Sequence, residues 1–134
     1  MRIVRERPPN FEAIAKVFPG AYGESVIFCW GDTICNPFGA NVSKALIAHE
    51  EVHSAQQNGD PAFWWHEYLL SAEFRLAQEL PAHAAEYRVA SLGGGRHVRR
   101  FHLRDISAKL SAPLYGRIIS TEAAKKRILE LSRL

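Results

Sequence analysis

The stretch Ala48-His49-Glu50-Glu51-Val52-His53 decides the organisation of the chain, because it combines a helical pattern with the ligands of a metal site. Two histidines four residues apart on a helix project from the same side and can bind one tetrahedral metal ion. The residue after the first histidine lies beside them, where a carboxylate can reach the attacking water. The stretch therefore predicts a helix with His49 and His53 as metal ligands and Glu50 as a general base.

A helical wheel separates the polar residues of this stretch. At about 100° per residue, His49 and His53 fall near the centre of a stripe shared with Leu46, so both imidazoles point inward. Glu50 lies at the rim of the stripe, and Glu51 lies opposite it, in solvent. The alternative is two core histidines satisfied by hydrogen bonds. We favour a metal, because burying two imidazoles requires partners for both and one ion satisfies them together.

A catalytic zinc site also needs a third protein ligand and an open position for water. Several downstream residues can supply that ligand: His66, Glu73, Glu79, His83 and Glu86. Glu73 and Glu86 are interpreted as parts of a solvated helix face. The run Gln78 to His83 is therefore the best source of the third ligand.

From about residue 26 to residue 90 the chain resembles the gluzincin clan of zinc metallopeptidases, in particular the small single-domain minigluzincins. The resemblance rests on the residues 48–53 motif, Gln56-Gln57, the pair Trp64-Trp65, and Glu79 with Ala82 three residues later. It implies Zn²⁺ as cofactor, Glu79 as third ligand, and hydrolysis of peptide bonds in a peptide or protein substrate. Similar proteins are encoded by bacteriophages, which implies assembly partners in a phage particle as a further possibility.

The chain departs from the gluzincin pattern at one position. Gluzincins commonly place an aspartate four residues after the ligand glutamate, where it supports a zinc-bound histidine, and this chain has His83 there. A histidine can still hydrogen-bond another imidazole, or it can itself bind the metal. Three residues are candidates for hydrogen-bonding a ligand or donating to the oxyanion: His83, Tyr87 and Tyr68.

The predicted fold is α+β and mostly α, with a small N-terminal β-hairpin packed on the helix bundle that carries the site. We expect one zincin-like domain over residues 1–134, with a catalytic core at about 24–92 and a helical extension at about 96–134. The predicted elements are a helix at 11–17, a hairpin at 24–36 turning at Gly31-Asp32, and helices at about 43–58 and 60–78. Pro81 marks either a kink or the first turn of a separate helix at 81–91. A break at Gly93–Gly95 is followed by a short helix at 105–110, a turn at 113–116 and a last helix from Ser120, whose buried stripe is Ala124, Ile128 and Leu131.

Two features suggest how a substrate is held. In zincins a strand edge beside the active-site helix pairs with extended peptide, and either Val26–Trp30 or Thr33–Asn36 can serve here. Four aromatic residues follow the motif helix: Phe63, Trp64, Trp65 and Tyr68. They can line a pocket, but aromatics at this spacing more often form core, and we predict core.

Composition restricts the remaining possibilities. With 134 residues, 47% hydrophobic and 23% charged, the chain is typical of a globular domain without a membrane span. Residues 1–10 lack the apolar stretch of a signal peptide, so we expect a cytoplasmic protein, or a virion-associated one if the phage resemblance holds. Cys29 and Cys35 are expected to be free, half-buried thiols, although they flank the hairpin turn and can face each other across it.

The segment from Arg96 to Arg104 is the only basic cluster of the sequence, with four arginines and two histidines. It can contact nucleic acid or an acidic protein, but Phe101 is its only aromatic residue, so a solvated loop is favoured and nucleic acid is not an expected partner. Three functions remain open: a zinc peptidase, which we favour, a zinc-stabilised structural protein such as a phage tail component, and a nucleic-acid-binding module.

Overall fold

The computed structural model describes residues 1–112, 116 and 118–133, and the predicted turn at 113–116 lies outside this part of the chain except for Gly116. The chain is mostly helical with a small three-stranded sheet at its N-terminus, which confirms the predicted fold class. The elements are β1 (Arg2–Val4), α1 (Phe11–Val17), a 3₁₀ turn (Pro19–Tyr22), β2 (Phe28–Trp30), β3 (Thr33–Cys35), α2 (Lys44–Gln57), α3 (Pro61–Leu70), α4 (Ala72–Ala90), α5 (Arg96–Leu110) and α6 (Thr121–Ser132).

The sheet has the order β1-β3-β2, with β1 parallel to β3 and β2 antiparallel to it. The predicted hairpin is confirmed, but its first strand begins at Phe28 instead of Glu24. Gly31 closes the turn at φ 62°, a left-handed conformation that costs glycine little. Because β3 pairs on both sides, its backbone has no edge left for a substrate strand.

Cys29 and Cys35 are both free and buried, more deeply than the sequence predicted. Cys29 pairs with Ile34 across the hairpin, and directly paired residues share one face of a sheet. Cys35, the next residue along β3, therefore lies on the opposite face. The two thiols do not face each other across the turn.

Helix α2 begins and ends, and helix α3 begins, where the cap residues predict. The Ser43 hydroxyl accepts from the Leu46 amide at the start of α2. Asn58 ends α2 in the left-handed conformation, at φ 48°. Asp60 then caps α3 by accepting from the Phe63 amide at 3.1 Å. These caps fix the direction of α2, and with it the direction in which the histidines project.

The prediction of one helix from Asp60 to about residue 78 is wrong, and of the two alternatives for Pro81, a kink or a new helix, the new helix is also wrong. A break lies at Ser71, which has extended backbone and accepts from the Phe74 amide, and α4 then runs unbroken through Pro81. Proline removes one helical hydrogen bond, but α4 packs against α2, α3, α5 and α6, and this packing holds the helix together. Residues on both sides of Pro81 therefore project from a single helix.

The prediction of a loop at 96–104 followed by a short helix is also wrong. The basic segment forms the first nine residues of α5, which begins at Arg96. The helix is held by its C-terminal half, where Ile106 and Leu110 are buried four residues apart. The arginines consequently lie on a regular helix.

Two hydrophobic clusters form the core. The first joins α1, the hairpin and α3. The second joins α4, α5 and α6 through Leu80, Ile106, Leu110 and Ile128. Ala124 and Ile128 are fully buried as predicted. None of the helices described is both long enough and apolar enough to cross a membrane.

We expect Ile128→Ala to lower the free energy of unfolding by about 2–5 kcal/mol, because Ile128 is 0% exposed and its removal leaves a cavity in the second cluster. Urea denaturation followed by circular dichroism measures the change. Leu92→Ala is the control, since Leu92 is largely exposed and should shift stability by less than about 0.5 kcal/mol. Equal effects of the two substitutions would contradict the packing of α6.

Candidate metal centre

Helix α2 presents its two histidines to the interior. His49 and His53 are buried, and their Nε2 atoms lie 3.1 Å apart. Glu50 is buried beside them, whereas Glu51 is exposed. The structure thus places these residues as the helical wheel predicts.

Glu79 reaches the two histidines from α4 and is 2% exposed. Its Oε1 lies 2.9 Å from His53 Nε2, and its Oε2 lies 3.5 Å from His49 Nε2. The Tyr68 hydroxyl donates to Oε1 at 3.0 Å. The residues predicted as ligands therefore form one group in which two imidazole nitrogens and a carboxylate converge.

The spacing of these atoms fits a metal ion. Tetrahedral zinc with bonds of about 2.0–2.1 Å places its ligand atoms about 3.3 Å from one another. The three separations among His49, His53 and Glu79 are 2.9, 3.1 and 3.5 Å. Glu79 Oε2 is buried and has no hydrogen-bond partner among the described residues. A cation held by all three residues would satisfy it.

Hydrogen bonds on the far side of each ring determine which nitrogen faces the centre. Gln56 Nε2 donates to the Gln78 carbonyl at 2.9 Å, so Gln56 Oε1 faces His53 Nδ1 and accepts from it at 2.8 Å. His49 Nδ1 likewise donates to Glu86 Oε1 at 3.0 Å. In its neutral form each ring would therefore direct an Nε2 lone pair inward. Two lone pairs 3.1 Å apart beside a carboxylate repel one another unless a proton or a metal ion lies between them.

The prediction that Glu86 lies on a solvated helix face is wrong. Glu86 is buried, accepts from His49 and His83 through Oε1, and binds Lys109 Nζ through Oε2 at 3.2 Å. It supplies the carboxylate for His49 that gluzincins place at the position of His83. Glu79, His83 and Glu86 are four and three residues apart, a helical spacing that could have revealed the shared face.

His83 lies between the two buried glutamates of α4. Its Nδ1 donates to Glu86 Oε1 at 3.1 Å, and its Nε2 lies 3.3 Å from Glu79 Oε2. His49, His83 and Glu86 also form a second group of converging ligand atoms. His49 faces this group with Nδ1, whose proton Glu86 accepts, so we interpret Glu86 and His83 as partners that orient the ligands.

The buried charges have strongly altered proton affinities in the metal-free protein. Burial raises the pKa of Glu50 above its usual value. Burial alone would lower the pKa of His49, but hydrogen bonds to Glu79 and Glu86 raise it well above the usual value. The imidazoles hold the pKa of Glu79 and of Glu86 below the usual range despite burial. Glu50 is thus the carboxylate best suited to take up a proton.

A cavity of about 80 Å³ lies against the centre and is lined by His49, Glu50, His53 and Glu79. Its remaining walls are mostly apolar and come from α1, the 3₁₀ turn, β2 and α3: Ile14, Phe18, Ala21, Val26, Ile27, Phe28, Cys29, Trp64, Trp65 and Tyr68. The three α3 aromatics also belong to the first hydrophobic cluster, as predicted, whereas Phe63 is exposed.

The outer edge of β2 is partly covered. The Cys29 carbonyl accepts from Gln57 Nε2 at 3.0 Å and from Trp65 Nε1 at 2.9 Å. It is therefore not available to an extended peptide, contrary to the prediction for the centre of Val26–Trp30. Val26 and Ile27 precede the strand and line the cavity. Backbone pairing with an extended peptide therefore stays a prediction only for these first two residues of the segment.

The other predicted site residues lie elsewhere. His66 and Glu73 are exposed. Tyr87 is buried in the second hydrophobic cluster, away from the cavity lining. Tyr68 does line the cavity, and of the candidate oxyanion donors it is the one that contacts both the cavity and a ligand.

Comparison of the chain with models of protein families, with curated proteins and with solved structures finds no match. A function for the centre is therefore argued from its residues and their geometry.

We expect Glu86→Gln to weaken zinc binding by about 10–100-fold, because it removes the charge that orients His49 Nδ1 and makes it a better donor to the metal. Competition with a chromophoric chelator measures the affinity. Glu73→Gln is the matched control, since it makes the same change at an exposed position of the same helix. Unchanged affinity in Glu86→Gln would contradict a supporting role for Glu86.

Proposed function

We propose that the chain is a zinc-dependent peptidase that hydrolyses a peptide or protein substrate. The observation that carries the proposal is the convergence of His49 Nε2, His53 Nε2 and the Glu79 carboxylate beside Glu50 and an apolar cavity. Two imidazoles and one glutamate are the protein ligands of a common class of catalytic zinc sites. The proposal agrees with the gluzincin resemblance, which rests on the same residues.

Each residue has a defined task. His49, His53 and Glu79 would hold the zinc, and the adjoining cavity leaves room for water beside it. When bound, zinc supplies a Lewis acid that activates water near neutral pH and polarises a carbonyl group. Glu50 takes a proton from the attacking water and delivers it to the leaving amine. No hydrogen bond ties its carboxylate to another described residue, and burial strengthens it as a base.

Tyr68 is the residue best placed to assist beyond the ligands and the base. Its hydroxyl donates to Glu79 Oε1 at 3.0 Å and its ring lines the cavity. It orients the Glu79 carboxylate, and a small rotation would bring the hydroxyl to an oxyanion in the cavity.

A peptide library incubated with the zinc-loaded protein, and analysed by mass spectrometry, tests the proposal. Cleavage that a zinc chelator stops and added zinc restores is the expected result. Zinc-loaded protein that cleaves no peptide or denatured protein would overturn the peptidase proposal, and a protein that binds no zinc would overturn the metal centre as well.

A zinc-stabilised structural or interaction protein, for example a phage particle component, is the second candidate. The depth of the centre favours it, since all three ligands are buried and the adjoining cavity is small. Such a site has no use for Glu50, which is why we rank it second. It predicts that zinc raises the unfolding temperature while Glu50→Gln changes nothing that can be measured.

A further inference from the structure

Charged residues are unevenly distributed along the chain, in a way that the candidate metal centre does not explain. Residues 96–134 contain ten lysines and arginines and three aspartates and glutamates, whereas residues 1–95 contain seven and eleven. The two parts therefore carry net charges of opposite sign. Such asymmetry is typical of proteins whose basic part contacts a polyanion.

The densest part of this positive charge is the first nine residues of α5. They include four arginines, all exposed, and no acidic residue. Arg96, Arg100 and Arg104 are four residues apart, so they follow one side of the helix at intervals of about 6 Å. The buried contacts of Ile106 and Leu110 fix the helix that carries this row.

The stability of α5 does not account for the arginines. Positive charge near a helix N-terminus opposes the helix dipole, and α5 has neither an acidic residue in its first turn nor a side-chain cap. Among the described residues, none of its four arginines forms an ion pair, and Arg99 alone donates a hydrogen bond, to the Gly94 carbonyl. Within the described part of the chain, these side chains are therefore exposed without an ion-pair partner.

The apolar residues on the same surface argue against a membrane as that partner. Phe101 is 60% exposed and Val98 is also exposed, but Asp105 lies between them on the helical wheel. A helix that enters a lipid interface needs a continuous apolar face, and here the apolar face is already packed in the core. The arginine row therefore favours a polyanion over a lipid surface, and Phe101 is the one aromatic ring of the segment that could stack on a nucleobase.

We propose that the exposed face of α5 binds nucleic acid, with Arg96, Arg100 and Arg104 contacting successive phosphates and Phe101 contacting a base. The structure alters the expectation from sequence, in which the same residues form a loop. The inference is independent of the metal centre, because the arginine row lies outside the residues that line that centre.

Fluorescence anisotropy with a labelled duplex and the corresponding single strand, over a series of salt concentrations, tests the inference. We expect the full chain to bind at least one of them with an affinity that falls linearly on a log–log plot against salt. The triple variant Arg96→Gln, Arg100→Gln, Arg104→Gln should lose at least about tenfold in affinity and reduce the slope by about two to three.

The matched control removes three exposed positive charges outside α5, through Lys16→Gln, Lys44→Gln and Arg88→Gln. It should retain wild-type affinity to within a factor of about two. Equal losses in the two triple variants would overturn the inference, because binding would then follow net charge alone. Binding to vesicles of anionic lipid without binding to either oligonucleotide would overturn it in favour of a membrane surface.

Discussion

His53→Ala and Glu79→Ala proteins should contain almost no zinc, where the wild type contains about one ion per chain. Each substitution removes one of three candidate ligand residues whose ligand atoms lie within 4.8 Å of one another, and two remaining protein ligands do not hold zinc through purification. Elemental analysis after dialysis against a weak chelator gives the stoichiometry. Glu79→Gln serves as a second variant, since it keeps the shape of the side chain.

His66→Ala and Glu73→Ala are the controls for this loss, because they remove the same residue types from exposed positions of α3 and α4. Both should keep about one zinc per chain. Circular dichroism shows whether each variant is folded before its metal is counted. A wild-type protein that takes up no zinc on reconstitution would contradict the proposed centre. His49 and His53 would then be ordinary core residues.

Glu50→Gln should lower the rate of peptide cleavage by about 10²–10⁴-fold while leaving the zinc content unchanged. Glutamine has the same shape but cannot accept the proton of the attacking water at neutral pH. Because Glu50 is buried against the cavity and holds no ligand position, its loss affects the reaction and not the metal. Initial rates on the best cleaved peptide, with zinc measured in the same samples, separate the two effects.

Glu51→Gln is the control, since it makes the same substitution one residue further along, on the exposed side of α2. It should cleave at close to the wild-type rate. Full activity in Glu50→Gln would exclude Glu50 as the base, and loss of zinc in that variant would mean that Glu50 supports the metal instead.

The candidate metal ligands on α2 could be predicted because their relation is local. The four-residue spacing of His49 and His53, with Glu50 between them, needs only a helix, and the caps at Ser43 and Asn58 mark where that helix begins and ends. Glu79 required the resemblance to gluzincins, since the approach of α4 to α2 is a tertiary contact that no local pattern contains. The structure brings Glu79 to the two histidines, and its role as ligand stays a prediction.

Glu86 was missed because it was interpreted as part of a solvated helix face. Pro81 was also expected to kink the chain or to start a new helix between Glu79 and Glu86, and either outcome would weaken the inference of a common face. Proline is a strong helix breaker in isolation, and packing against four helices overcomes it here. The parallel pairing of β1 with β3 likewise could not be predicted from the sequence, because it joins residues about 30 positions apart.

Helix α5 was missed for a different reason. Its first nine residues include four arginines and two histidines but only three apolar residues, so the apolar stripe that indicates a helix in sequence is weak there. The helix forms because its second half is anchored by Ile106 and Leu110, and the N-terminal turns extend from that anchor.

Helix α4 has a thermodynamic consequence beyond its ligands. It carries Glu79 and Glu86 at the centre and Leu80 in the second hydrophobic cluster, without interruption at Pro81. An ion bound by the native state alone adds RT ln(1 + [L]/Kd) to its free energy of unfolding. Because one helix spans both regions, that energy would be shared with α5 and α6, and slower amide hydrogen exchange in the C-terminal helices would report occupancy of a site to which they supply no metal ligand.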